Sequence, residues 1–473
     1  MGFSPRTVAG TERNTRPIKH NATDPDIIDK KIKDELERLT SEDSNIWTAS
    51  KYDRRDFVHS FFQYPAMMVP IVQKRLIETI IKHKPDTLSM LDPFMGSATS
   101  IMAGMQCGLN CTGQDINPLA ILLSKVKCGP YYYVAFNKKA HSVLSRVRED
   151  KCTELEIQYT NWRKWFREDV AIEISKLVRS IRLEKSLSAR RLFWITLAEV
   201  SRLSSNDRTS TFKLHARPIE EIESRIVSPI NLFERLIFKN IEDIERQNRT
   251  LKTNNLLSKG SYSRNINIRL QDSRKKTFCP KKNEGSIKYD LLVSSSPYGD
   301  NQTTVPYGQH AFLALQWLDL ADIDRKVDNA SISTTGEIDK RSLGGRKVEF
   351  DELALKALLF KSPTLKKIAK SLTTNHADKI DKVLCFVNDF DESLDQIVES
   401  LNTNAYLIWT MGNRHVGGLE IENDNILIEL LKAKNCALVT RVEREILNKR
   451  MAQRNNSSKT MNMEDILIFR KIG

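Results

Sequence analysis

The stretch TLSMLDPFMGSATSIMAGMQCGLNCTGQDINP, residues 87–118, decides the fold of this 473-residue chain. Its first part is short, apolar and closed by Asp92-Pro93, which reads as a buried strand. "GSATSIMAGMQCG" has helical spacing and stops at Gly108, and "NCTGQDINP" reads as a second strand that ends at Asp115. "LAILLSKVKCG" follows as a second helix. Strand, helix, strand, helix in about forty residues predicts the opening of a parallel α/β sheet.

Working outward, residues 65–84 have helical spacing, and the polar residues 1–50 read as an arm with one charged helix, "DPDIIDKKIKDELERLTSED". Beyond Gly129 the alternation breaks. Residues 130–262 are helical in pattern and read as an insertion. Strands resume with "INIRLQD" and "DLLVSSSP". A second irregular region spans about 300–390, with one helix around "DELALKALLF" and a Gly-rich loop, "DKRSLGGRK", at 339–347 that is expected to be mobile. A helix "SLDQIVESLNTN" and strands "AYLIWTMGN", "CALVTRVERE" and "DILIFRK" close the chain. The expectation is a seven-stranded, mostly parallel sheet with a helical insertion.

The formal charge of +14 favours a polyanionic partner, nucleic acid first. Seven cysteines contain no CxxC pair, so neither a zinc site nor a disulfide framework is expected, and no metal. No apolar run reaches membrane-spanning length, and the N-terminus lacks a signal-peptide core. A cytoplasmic protein is the expectation. The absence of GxGxxG argues against a nicotinamide oxidoreductase.

In an open α/β sheet the ligand lies beyond the carboxyl ends of the strands. Four strand ends carry chemistry here: the turn Asp92-Pro93-Phe94-Met95-Gly96-Ser97-Ala98, then Asp115, then Asp272, then Ser295-Ser296-Pro297-Tyr298. Small residues in the first let the backbone approach a ligand. Asp115 stands where a carboxylate usually takes both ribose hydroxyls. Singly each mark is ordinary, since strand-end aspartates are mostly caps or turn residues. Together they stand in the right chain order.

"DPFMGSATS…GQDINPLA" resembles the cofactor motif of the DNA amino-methyltransferases, and "SSPYGDN" resembles their catalytic motif. "FVHSFFQYPAMMVPIVQKRLIE" is similar to their segment that closes over the cofactor's methionine end, and "VEREILNKRMAQRN…TMNMEDILIFRK" to the end of many cytosine-N4 members. The resemblance implies a Rossmann-like methyltransferase fold of the restriction-modification type, with S-adenosylmethionine as methyl donor. It splits the fold into a first half over 51–129 and a second half over 263–473. It implies that Asp92, Phe94 and Gly96 belong to the cofactor turn, that Asp115 takes the ribose, and that Asp272 takes the adenine amino group. Ser295, Ser296, Pro297 and Tyr298 would form the base pocket, with Tyr298 stacked on a flipped base. Two positions depart from the family pattern: Ser296 replaces the first proline of the catalytic motif, and Ala98 replaces a glycine, where it is expected to crowd the cofactor.

A serine at 295 favours cytosine N4 over adenine N6 as the target. The implied substrate is double-stranded DNA, with a cognate restriction endonuclease as a possible partner. An RNA methyltransferase, or a catalytically dead methyltransferase fold that binds DNA, is the alternative. For DNA contact the insertion offers Arg190, Arg191, Arg202, Arg208, Lys213, His215 and Arg217, and the loop 339–347 is the rival.

Overall fold

A computed structural model of the chain describes residues 24–53, 55–157, 159–275, 288–446 and 463–473. One sheet organises it. Its strands are β1 (Ser89–Asp92), β2 (Asn110–Asp115), β3 (Ile266–Leu270), β4 (Tyr289–Ser295), β5 (Leu401–Met411), β6 (Cys436–Glu445) and β7 (Met463–Lys471). They lie in the order β6-β7-β5-β4-β1-β2-β3. The first five are parallel, and β7 runs antiparallel to both its neighbours. This is the Rossmann-like methyltransferase architecture. Chain order reverses between β1 and β4, so the switch point lies where Asp92, Asp115 and Ser295 end their strands.

Two-residue periodicity divides the core between the two faces. Met90, Leu291, Val293, Tyr406, Ile408, Ile466 and Ile468 join one buried cluster, whereas Leu91, Leu292, Leu407, Trp409, Leu467 and Phe469 join the other. Helices cover both faces. α1 (Pro25–Glu42), α2 (Pro70–His83), α3 (Thr99–Gln106) and α4 (Pro118–Lys127) come first along the chain, followed by α5 (Tyr133–Glu149), α6 (Glu168–Arg182), α7 (Leu187–Ser204) and α8 (Pro229–Thr253). α9 (Tyr307–Leu315), α10 (Ala377–Glu399) and α11 (Asn423–Lys432) complete the set that positions the site.

Three expectations change. The N-terminal arm is folded from Pro25 onward: α1 buries Ile32 and Leu36, and Asp26 and Asp29 pair with Arg470 of β7. Residues 1–23 lie outside the described residues, as do 447–462 of the C-terminal segment used for the resemblance. The region 300–390 is largely helical rather than irregular. Val383, Phe386, Val387, Phe390, Leu394 and Ile397 recur at helical spacing on α10, which therefore starts well before "SLDQIVES" and stops at Glu399, one residue short of Ser400 and β5. The insertion is not a separate body either. α7 buries Leu192, Phe193, Trp194, Ile195, Leu197 and Val200 in the same cluster as β1 and β4.

Candidate active site

The turn after β1 is held from two sides. Met95 donates its N–H to the Gln114 carbonyl at 3.1 Å, and Gly96 donates to Asp115 Oδ2 at 2.9 Å. Gly96 has φ +45°, and a Cβ there would stand 3.2 Å from the Tyr64 ring, so the turn needs glycine for both conformation and space. Ala98 sits at φ +61°, the left-handed region that explains the family's glycine at this position. Its methyl group is buried in the core cluster and does not line the cavity, so the expected crowding of the cofactor does not arise.

Asp115 ends β2 with its carboxylate half-buried. Oδ1 accepts from Asn117 N at 2.8 Å, Oδ2 accepts from Gly96, and burial pushes the carboxyl up to about 6. Asn117 in turn caps α4 through Leu119 N and donates to the Tyr64 hydroxyl at 3.4 Å. Asp92 is placed differently from the expectation. It is fully buried, accepts from the Ser100 hydroxyl, from Ser294 Oγ at 2.7 Å and from Phe94 N at 3.1 Å, and does not line the cavity. Its carboxylate ties α3 and β4 to the turn, so it supports the site from behind.

These elements open onto a cavity of about 910 Å³. Phe94, Gly96, Asp115, Asp272, Ser295, Ser296 and Pro297 all line it. Residues not singled out from the sequence line it as well, chiefly Tyr64, Met67, Asn117, Asn301, Tyr307 and Leu343. Tyr64 and Met67 belong to the segment compared with the family's closing segment. Tyr307 sits tilted against Tyr64 with ring centroids 5.7 Å apart. Asp272 is engaged by Arg274, whose guanidinium holds it at 2.8 Å and reaches Asp389 of α10 at 2.7 Å.

The segment after β4 is rigidly held. Ser296 turns its hydroxyl onto the Met411 sulfur at 2.9 Å. Asp300 pairs with the nearly buried Arg414 at 3.4 Å, and Gly299 leaves the room in which that guanidinium lies. Asn301 donates to Asp339, which also accepts the N–H groups of Gly308 and Gln309 at 2.7 and 3.0 Å and so caps α9. Tyr298 does not line the cavity directly; its hydroxyl donates to Glu464 Oε1 at 2.6 Å. No spacing signal in the sequence links Asp339 to Gly308, or Glu464 to Tyr298. Only the fold brings them together.

The loop 339–347 is anchored, contrary to the expectation of mobility. Gly344 donates to Asp389 at 2.8 Å, and a Cβ on it would meet the Phe386 backbone at 2.8 Å. The basic insertion also divides. Arg190 holds Asp322 with both arms at 2.7 and 2.8 Å, and Arg191 donates to the Asp322 carbonyl. Arg202 pairs with Glu199 and Arg217 with Glu221. Arg208, Lys213 and His215 remain exposed on a loop at the cavity rim, where Leu214 N reaches Gln309 at 3.3 Å and Phe212 stands edge-on to His310.

The cavity suits S-adenosylmethionine, the methyl donor. Asp115 is a desolvated carboxylate served by backbone donors, which fits neutral hydroxyl groups, and Gly96 leaves a cradle that a side chain would fill. Among the described residues there is no cluster able to hold a metal ion, and no helix is long and apolar enough to cross a membrane.

No family model matches the chain. It is 28% identical over 460 residues to the type II methyltransferase M.MvaI of Kocuria varians, covering 93% of this chain and 97% of that one. It is 30% identical over 101 residues to the type II methyltransferase M.MjaII of Methanocaldococcus jannaschii, covering 21% of this chain and 18% of that one. The rRNA methyltransferase AviRa from Streptomyces viridochromogenes aligns in structure over 86% of each chain with 9% identity and a TM-score of 0.29, too low to carry an argument.

Proposed function

We propose, on the premise that this chain belongs to the type II methyltransferase family, that it methylates the exocyclic amino group of a base flipped out of duplex DNA, and that the base is cytosine, modified at N4. One observation carries the reading: Ser295, Ser296 and Pro297 share a single cavity with Gly96 and Asp115. A cofactor turn and a strand-end acceptor that face each other are what methyl transfer to a nucleobase requires.

When bound, S-adenosylmethionine supplies an electrophilic methyl group. Asp115 would accept from its ribose hydroxyls, Gly96 and Phe94 would border its methionine end, and Asp272 would accept from its adenine amino group. An exocyclic amino nitrogen is a poor nucleophile, because its lone pair is delocalised into the ring. The Ser295 hydroxyl and the Ser296 carbonyl would accept from its two N–H bonds and so draw the nitrogen towards tetrahedral geometry, stabilising the charge that develops on it. Tyr298 would offer its ring face for stacking, a contact worth about 1–3 kcal/mol per base. Extrusion of the base is required because the amino group is paired within the duplex. Anchoring of Asn301 by Asp339 and of Asp300 by Arg414 keeps these acceptors in place, so the protein contributes position more than acid-base strength.

The exposed Arg208, Lys213 and His215 at the rim would meet the phosphate backbone beside the target, and a cognate endonuclease would share the recognised site. The test is to express the chain in cells lacking other DNA methylation and map modified bases in native DNA. N4-methylcytosine in one sequence context is the expected result. N6-methyladenine would refute the choice of base, and no modified base would refute the activity.

A further inference from the structure

Methylation of an amino group leaves a positively charged nitrogen that must lose a proton, and the acceptors at the end of β4 suggest where it goes. This inference rests on the function proposed above. For Ser295 to accept a hydrogen bond from the target nitrogen, its own hydroxyl proton needs another acceptor. The neighbouring Tyr298 hydroxyl lies within hydrogen-bonding reach of Ser295. Tyr298 spends its proton on Glu464 Oε1 at 2.6 Å, which leaves its oxygen lone pairs free to accept. The other Glu464 oxygen is held by Arg444 Nε at 3.0 Å, and the two side chains are only 10% and 4% exposed.

A buried Tyr hydroxyl usually finds some partner, and a neutral acceptor would suffice for that. Here the partner is a nearly buried carboxylate, which costs free energy to place and needs Arg444 to offset its charge. It is brought from the start of β7, at the far end of the chain, to within one hydroxyl group of the cavity.

We infer that Ser295, Tyr298 and Glu464 form the route by which the proton leaves the methylated nitrogen. As the nitrogen–methyl bond forms and the sulfur–methyl bond breaks, the positive charge passes from sulfur to nitrogen. The nitrogen then gives a proton to Ser295 Oγ, Ser295 gives its own to the Tyr298 oxygen, and Tyr298 gives its own to Glu464. The products are a neutral methylamino group, a neutral thioether and a protonated Glu464, so the charge balances. Ser295 touches the substrate, whereas Glu464 acts through Tyr298 and is a positioning residue.

The decisive variant is Tyr298→Phe, which keeps the ring face and leaves the Glu464–Arg444 pair intact. Three quantities are measured on wild type, Tyr298→Phe and Glu464→Gln: single-turnover transfer of tritiated methyl groups to DNA, DNA affinity, and fluorescence of 2-aminopurine at the mapped target as a report on flipping. The expected result for Tyr298→Phe is a transfer rate lower by about tenfold or more, the lower range of proton-transfer assistance, with affinity and flipping fluorescence unchanged. Glu464→Gln should match it in rate if it folds. An unchanged rate in Tyr298→Phe overturns the relay and leaves the methyltransferase reading standing. Loss of flipping fluorescence together with rate overturns it too, because the hydroxyl would then only orient the ring. Absence of transfer by the wild type to any DNA overturns both.

Discussion

The Asp115 carboxylate accepts the backbone N–H of Gly96 at 2.9 Å, so the end of β2 and the turn after β1 are a single unit. The same carboxylate orders α4 through Asn117, whose amide reaches Tyr64 on the opposite wall. A ligand that binds Asp115 therefore meets a surface already organised by it. That preorganisation lowers the cost of ordering groups on binding.

Asp115→Ala should weaken S-adenosylmethionine binding at least about tenfold, since two hydrogen bonds to a charged group are lost, each worth roughly 1.5–3 kcal/mol. The pH dependence has a definite sign. Burial holds the free carboxyl up at about 6, and hydroxyl donors favour its ionised form, so binding should expel a proton near that pH. Affinity should accordingly fall as pH drops below about 6, approaching tenfold per unit. Calorimetry in two buffers of different ionisation enthalpy measures the proton count, and proton uptake would refute the assignment.

The arginines of the insertion should separate into two groups. Arg190→Ala removes a two-armed, mostly buried pair with Asp322 and should cost about 2 kcal/mol, below the 3–5 kcal/mol of a fully buried pair because both partners retain some exposure. A chemical denaturation midpoint reports it. Arg208→Ala with Lys213→Ala should leave that midpoint in place and instead flatten the salt dependence of DNA binding, as fewer counterions are released from phosphate.

Arg414→Met should destabilise the protein by about 3–5 kcal/mol, because Asp300 is buried and would keep its charge without a partner. The double variant with Asp300→Asn should recover much of the loss. Thermal unfolding of both variants decides this, and additive losses would show that the two side chains are not coupled.

Ser295→Ala should lower turnover more than it lowers DNA affinity, since the contact it removes tightens only as charge develops on the nitrogen. Equal losses in single-turnover rate and in equilibrium binding would show instead that Ser295 serves the ground state.

All seven strands of the sheet were legible before folding, because a buried strand in an α/β domain is a short apolar run closed by turn residues. So was the set of strand ends that carries the site: Gly96, Asp115 and Ser295 announce themselves through local chemistry and spacing. Asp92 looked the same locally, yet it faces Ser100 and Ser294 instead of the cavity, since the orientation of a strand's last residue depends on the neighbouring strand. The helical cover over 300–390 was under-read because its buried face is interrupted by capping residues such as Ser362 and by charged positions. Arg190 and Arg208 are equivalent as letters. Asp322, more than a hundred residues away, neutralises the first and leaves the second on the rim. Glu464 lay furthest beyond reach, as pairing with Tyr298 depends on β7 running antiparallel beside β5. Periodicity and turn chemistry are properties of neighbouring residues and survive in the linear order, whereas the partner of a buried charge is set by which strands are adjacent in space.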